Sequence, residues 1–376
     1  MIDTVCLLIP KEKMRFLTGV SGWDLYSRTD QYKKFVRNPS KVEKDTGNYF
    51  PRLTGYKRRF GDEANVRIEF SVPKLVYLNN LDELEDKDFP KVLNTLQKRL
   101  QDMGVILTKT VIENASVSSV HFSKNILLKD GYTVNHIISE LSKIDLRKSF
   151  DFAKTRFINS GQSLYAHTTS HQLVIYDKVA DLAKGKKRAM DKDQTVYQKS
   201  LFEETRKENA PKEIIRFEIR LAKKQKMNKV LMDLGYAKNP SFKDVFNLEM
   251  SKKVVNDYWN KVIKEKNQAL LSVSLSLKDI LQVIFLVDKT IKPKQAIYFL
   301  GLYMLAKDDD GMRQLRSIVT KRMHERTWYR MSKDMRYAGE LITKNNLRDW
   351  VKQIDSELED YKPYKHKKYE RRKSNL

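Results

Sequence analysis

Ile214-Ile215-Arg216-Phe217-Glu218-Ile219-Arg220-Leu221 alternates without a break. Ile215, Phe217, Ile219 and Leu221 fall on one face, and Arg216, Glu218 and Arg220 on the other. Successive side chains of a strand point to opposite faces, so this stretch predicts a strand with its apolar side inward and its ionic side outward. Two further stretches share the design. Ile68, Phe70 and Val72 oppose Arg67, Glu69 and Ser71, with Pro73 ending the run; Val120 and Phe122 oppose Ser119 and His121 within Val117 to Phe122. A sheet with one apolar and one polar face is the mark of antiparallel pairing. The three stretches therefore predict an α+β fold, an antiparallel sheet packed on helices by its apolar face.

Outward from these strands the chain is punctuated clearly. Met1 to Ile9 is a short apolar strand closed by Pro10. Residues 19–65, rich in Gly, Asn, Pro and charge, read as hairpins and loops. A helix near 88–103 has Asp88 as cap, Pro90 in its first turn, a stripe of Val92, Leu93, Leu96, Leu100 and Met103, and Gly104 just past its end. Residues 105–112 read as a strand, and Thr133 to Ile144 as a helix. His171 to Tyr176 is a strand running through Asp177 and Lys178 into a helix. The charged stretch 183–212, closed by Pro211, reads as a surface excursion. Helices are expected near 250–266, 277–287, 293–307 and 311–326, with Ser276 and Asp279 capping the second and Asp308 to Gly311 dividing the last two. The expected organisation is a catalytic domain over 1–225, a mainly helical domain over 226–360, and a basic disordered tail over 361–376.

Composition limits the function. The 376 residues include 73 Lys and Arg against 48 Asp and Glu, a net charge of +25. With 40% hydrophobic residues the chain can build a core. No apolar run reaches the roughly 20 residues that span a bilayer. The stretch Val5 to Ile9 is too short for a signal core and follows Asp3, so no membrane partner is expected. One cysteine, Cys6, excludes an internal disulfide framework and a multi-cysteine zinc site, and fits a reducing, cytoplasmic setting. The natural partner of so cationic a chain is a polyanion.

The three polar faces each centre on a metal-capable side chain: Glu69, His121 and Glu218. Two carboxylates and an imidazole suit Mg²⁺ or Mn²⁺, with water or a substrate phosphate completing the shell. Arg216 and Arg220 flank Glu218, where guanidinium groups can hold phosphate. Taken one at a time, each residue reads equally as part of a solvated strand face. Tyr176 is one of 18 tyrosines and by itself merely ends a strand. A phenol beside a metal-bound phosphate can nevertheless act as a nucleophile, with Lys178 adding positive charge. Trp328, Tyr329 and Arg330 read as a base-stacking group or as core.

Five segments occur in a particular order: Met1-Ile2-Asp3; Arg67-Ile68-Glu69-Phe70-Ser71-Val72-Pro73-Lys74-Leu75; Val117-Ser118-Ser119-Val120-His121-Phe122-Ser123-Lys124-Asn125; Leu173-Val174-Ile175-Tyr176-Asp177-Lys178; and Ile215-Arg216-Phe217-Glu218-Ile219-Arg220. In this the chain resembles the replication initiation endonucleases of filamentous phages, the gene II and gene X type, with their plasmid and prophage relatives. The resemblance covers most of the first 225 residues and thins afterwards. It implies a site-specific nickase and rejoining enzyme that starts rolling-circle DNA replication. Tyr176 would become joined to the 5′ phosphate and the freed 3′ hydroxyl would prime a host polymerase, with a host helicase as a further partner. Glu69 and Glu218 match acidic positions of that family, whereas His121 replaces an acidic residue. The pair His167 and His171, separated by three residues, departs from the His-hydrophobic-His motif of many rolling-circle initiators. Lys178 would assist Tyr176. Lys74, Arg216, Arg220, Lys223, Lys224 and Lys226 would hold DNA. Two alternatives stay open: a non-enzymatic DNA-binding regulator, and a metal nuclease that uses water.

Overall fold

The alternating stretches assemble as neighbours in one sheet. The computed structural model describes residues 1–17, 34–57, 64–144, 146, 150, 156–158, 162–183, 212–265, 267–273, 275–308, 311–343 and 347–366. The expected excursion within 183–212 is described only at its two ends, and part of the 19–65 loop region and the tail beyond 366 lie outside the described residues. In chain order the strands are β1 (Ile2–Pro10), β2 (Arg15–Phe16), β3 (Lys34–Arg37), β4 (Arg52–Lys57), β5 (Ala64–Ser71), β6 (Val105–Ile106), β7 (Ser116–Leu127), β8 (Arg156–Ile158), β9 (Ser163–His167), β10 (His171–Asp177) and β11 (Ile214–Leu221). Two compact units form. The first takes the described parts of Met1–Leu127, Thr169–Val255 and Tyr361–Leu376, and the second those of Leu128–Thr168 and Asn256–Asp360. The domain limit expected at 225 is therefore replaced by a division in which both units are discontinuous.

In the first unit the strands lie in the order β3-β4-β5-β1-β7-β11-β10, every pair antiparallel. Val5, Leu7, Ile68, Phe70, Val120, Phe122, Phe217 and Ile219 form its buried apolar face. Phe70 meets Phe242 edge-on at 5.8 Å, and Phe242 meets Phe89 at 5.3 Å. These rings bring the helices Phe89–Asp102 and Phe242–Val245 onto the sheet. Pro73 ends the strand as expected, and it does so by starting the helix Val72–Tyr77, where its missing N–H costs nothing. The expected strand over 105–112 is a two-residue strand followed by the helix Lys109–Glu113, because Thr108 caps that helix through the Val111 N–H.

The polar face departs from expectation at its β7–β11 end. Arg216, Glu218 and Asn125 are buried, not solvated. The backbone of 80–81 lies across Arg216 and Asn125: Arg216 Nη2 donates to the Asn80 carbonyl, and Asn125 Nδ2 donates to the Leu81 carbonyl at 2.7 Å. The start of the tail also differs. Tyr361 is buried, the Tyr364 N–H donates to Glu83 at 2.9 Å, and the His366 N–H donates to Asp82 at 2.6 Å. Lys124 Nζ bridges Glu83 at 3.3 Å and the Lys362 carbonyl at 2.7 Å. Residues 361–366 are thus an ordered part of the first unit.

The second unit contains the hairpin β8–β9 and mostly helices, the longest being Glu325–Thr343. The helix Leu277–Val287 is capped by Ser276, as its spacing predicts. The helix expected over 311–326 breaks into Gly311–Thr320 and the start of Glu325–Thr343. Asp355 ties this unit by accepting from Trp259 Nε1 at 2.7 Å and Lys264 Nζ at 2.6 Å. Trp328 is buried with the Arg316 guanidinium 5.9 Å over its ring, which places it in the core. Gly311 has φ of +54°, and a Cβ there would meet the Lys143 side chain at 2.9 Å, so both conformation and space require glycine. Among the described residues no helix is long and apolar enough to cross a membrane.

Candidate metal and tyrosine site

The site grows from a bulge. Ile2 of β1 faces Phe122 of β7 and Thr4 faces His121, which leaves Asp3 as an extra residue on β1. A bulge re-aims the side chain that it inserts. Here it brings the Asp3 carboxylate to the face that carries His121. On the other side of β7, β11 sets Glu218 opposite Ser123 and Arg220 opposite His121. Ligand atoms of Asp3, His121 and Glu218 all lie within 4.8 Å of one another. Two carboxylates and an imidazole within that span can hold a metal ion.

Each acid is oriented by an arginine. Arg216 is buried and donates Nη1 to Asp3 at 3.1 Å and Nε to Asn125 at 2.6 Å. With its third bond to Asn80, the guanidinium fixes Asp3 from behind. Arg220 forks onto Glu218, Nε to Oε1 at 2.8 Å and Nη2 to Oε2 at 3.2 Å. His121 Nδ1 is 3.4 Å from Glu218 Oε1, and the Tyr176 hydroxyl donates to Oε2 at 3.3 Å. Burial pushes the Glu218 carboxyl up, but Arg220 and His121 outweigh it and hold the group well below the usual carboxylate range.

Tyr176 reaches this carboxylate because β10 pairs with β11, with Tyr176 opposite Arg216 and Val174 opposite Glu218. Burial pushes its phenol well above 10; Arg216 pulls the other way and Glu218 adds to the rise. The resting side chain is therefore a phenol that holds its proton. Lys178 begins the next helix, fully buried, with Nζ 5.7 Å from the Tyr176 ring centre and 3.3 Å from Asp181. Burial first, then Arg216, lowers its ammonium to about 8.

The structure thus brings together His121, Glu218, Tyr176, Lys178, Arg216 and Arg220. Glu69 stands apart. It is opposite Cys6 on β1 and Arg52 on β4, with its carboxylate 3.8 Å from Arg67. Between it and Glu218 lie β1 and β7, three strand spacings of about 4.8 Å each. Asp3 takes the place expected for Glu69. Arg216 spends its donors inside the protein, and Lys74 is buried in the helix Val72–Tyr77, so neither is the exposed phosphate contact expected of it. Lys223 is exposed, while Lys224 and Lys226 are half-buried on the helix after β11, Lys224 donating to Ser116 Oγ at 3.0 Å. His171 faces Leu221 on the apolar side, and burial, then Lys226, lowers its imidazole to about 4. His167 lies in β9 of the second unit. Asp3 and Asn125 are the site residues that the alternation did not reveal. The one signal for Asp3 was a carboxylate in an otherwise apolar strand start. Compared with known protein families, curated proteins and solved structures, the chain has no match.

Proposed function

We propose that this protein is a rolling-circle replication initiator that nicks and rejoins one DNA strand through Tyr176. The observation that carries the reading is the 3.3 Å contact of the Tyr176 hydroxyl with Glu218, a carboxylate within ligand range of Asp3 and His121. In the reaction Tyr176 Oη attacks phosphorus and the bond to the 3′ oxygen breaks. The phenol proton leaves, the 3′ oxygen gains a proton, and a 5′-phosphotyrosyl bond replaces the phosphodiester. Because the bond count is unchanged, rejoining is the reverse step and needs no nucleotide cofactor. A divalent cation at Asp3, His121 and Glu218, with Mg²⁺ or Mn²⁺ matching the oxygen-rich donor set, would polarise the scissile phosphate and offset the burial that holds Tyr176 protonated. Arg216 holds Asp3 in place. Lys178 supplies charge beneath the tyrosine ring. Arg220 and the exposed Lys223 are the DNA contacts, with Lys224 and Lys226 beside them.

The partners in this reading are origin DNA and a host polymerase and helicase, acting in the host cytoplasm. Supercoiled plasmid carrying the cognate origin, incubated with protein and Mn²⁺, should yield nicked circles and a covalent protein–DNA adduct. Tyr176→Phe should yield no adduct. A wild type that never nicks sinks the reading. The strongly raised phenol favours one competitor, a metal nuclease using water. It would give nicked circles with protein-free ends in wild type and in Tyr176→Phe alike.

A further inference from the structure

The Glu218 carboxylate has no unaddressed side. Oε1 receives Arg220 Nε at 2.8 Å and lies 3.4 Å from His121 Nδ1; Oε2 receives Arg220 Nη2 at 3.2 Å and the Tyr176 hydroxyl at 3.3 Å. Three hydrogen bonds and the His121 contact match the four lone-pair positions of a carboxylate. A cation shared with Asp3 and His121 competes for those positions with the neighbours that now fill them. His121 belongs to the ligand group itself. Tyr176 sits at the end of β10, held between β11 and the fully buried Lys178. The Arg220 side chain keeps 27% of its surface, against 3% for Glu218. Being partly exposed, it can swing toward solvent, and as a cation it is the neighbour a divalent ion repels.

Resting on the proposed metal site, we infer that Arg220 is a displaceable plug. It neutralises Glu218 until a divalent cation takes the carboxylate, and its released guanidinium then anchors the phosphate next to the scissile bond. Metal and DNA binding are coupled through this one side chain. A phosphate gives Arg220 a new bidentate partner, which stabilises the state that binds metal, and the coupling is reciprocal. Arg220 thereby positions substrate without carrying the chemistry.

The test is Mn²⁺ binding to the full chain, followed by electron paramagnetic resonance of free Mn²⁺. Arg220→Gln should lower the Kd roughly tenfold, the scale of one charge-assisted hydrogen bond lost as a competitor. Arg220→Lys keeps the charge but not the fork and should lower it less. In Tyr176→Phe, a single-stranded oligonucleotide should tighten Mn²⁺ binding, and Tyr176→Phe/Arg220→Gln should lose that effect. A folded Arg220→Gln that binds Mn²⁺ as weakly as wild type, or more weakly, overturns the inference. If Arg220→Gln does not fold, an unchanged Kd for Arg220→Lys overturns it instead. Glu218→Gln separates the two levels: Mn²⁺ binding that survives it unchanged defeats the metal site itself, whereas loss of binding there without tightening in the Arg220 variants defeats only the plug.

Discussion

Glu218 and Glu69 occupy equivalent places in similar sentences of sequence, Arg-Phe-Glu-Ile-Arg and Arg-Ile-Glu-Phe-Ser, yet live in different surroundings. Glu218 is 2% exposed and addressed by Arg220, His121 and Tyr176. Glu69 has a side chain 34% exposed and an ion pair at 3.8 Å with Arg67. Alternation assigns a residue to a face. The residue's neighbours come from its lateral place in the sheet, and β11 is flanked by the two strands that carry His121 and Tyr176. The same residue type is therefore a candidate ligand on one strand and a surface carboxylate on another.

The sharpest way to break this contrast is to remove one arginine from the buried site and one from the solvated face. Arg216→Ala leaves Asp3 and Asn125 without their buried partner and should cost about 3–5 kcal/mol in chemical denaturation. Arg67→Ala, on a half-exposed pair, should cost about 1 kcal/mol or less. Equal losses would erase the distinction between a built site and a solvated face.

A smaller effect comes from pH. Lys178 is lowered to about 8 from an ordinary 10.5. Between these values the unfolded chain binds the proton that the folded chain has released, so stability rises with pH across that window. The rise should total about 3 kcal/mol, and Lys178→Met should abolish it relative to wild type. A variant whose stability tracks the wild type from pH 8 to 10.5 would show that the ammonium is not penalised beside Tyr176. The smallest effect belongs to the exposed rim. Lys223→Gln should leave stability within about 0.5 kcal/mol and reduce the salt dependence of DNA binding by about one counterion. An unchanged slope would remove Lys223 from the DNA path.

Much of the architecture was readable locally. The limits of β11 coincide with the unbroken alternation from Ile214 to Leu221, and Ser276 caps the helix its spacing announces. The run from Leu173 into Lys178 is a strand feeding a helix. What stayed hidden depends on distant chain. Asp3 enters the site through a register shift against β7, which no local period encodes. Arg216 looked solvated because the backbone that covers it, at Asn80, is 136 residues away in sequence. The segment Tyr361 to His366 is poor in apolar residues and docks largely by backbone N–H groups on Glu83 and Asp82, bonds that composition does not show. Thr108 turned an apolar, β-branched stretch into a helix by capping it.

Asp3, and not Glu69, lies with His121 and Glu218 in the group that could hold a metal ion. Mn²⁺ titration of Asp3→Asn and Glu69→Gln, each checked for intact folding, tests it most directly. Asp3→Asn should weaken binding at least tenfold, a loss of about 1.4 kcal/mol, while Glu69→Gln should bind as the wild type does. Mn²⁺ affinity that survives Asp3→Asn and collapses in Glu69→Gln would contradict the account.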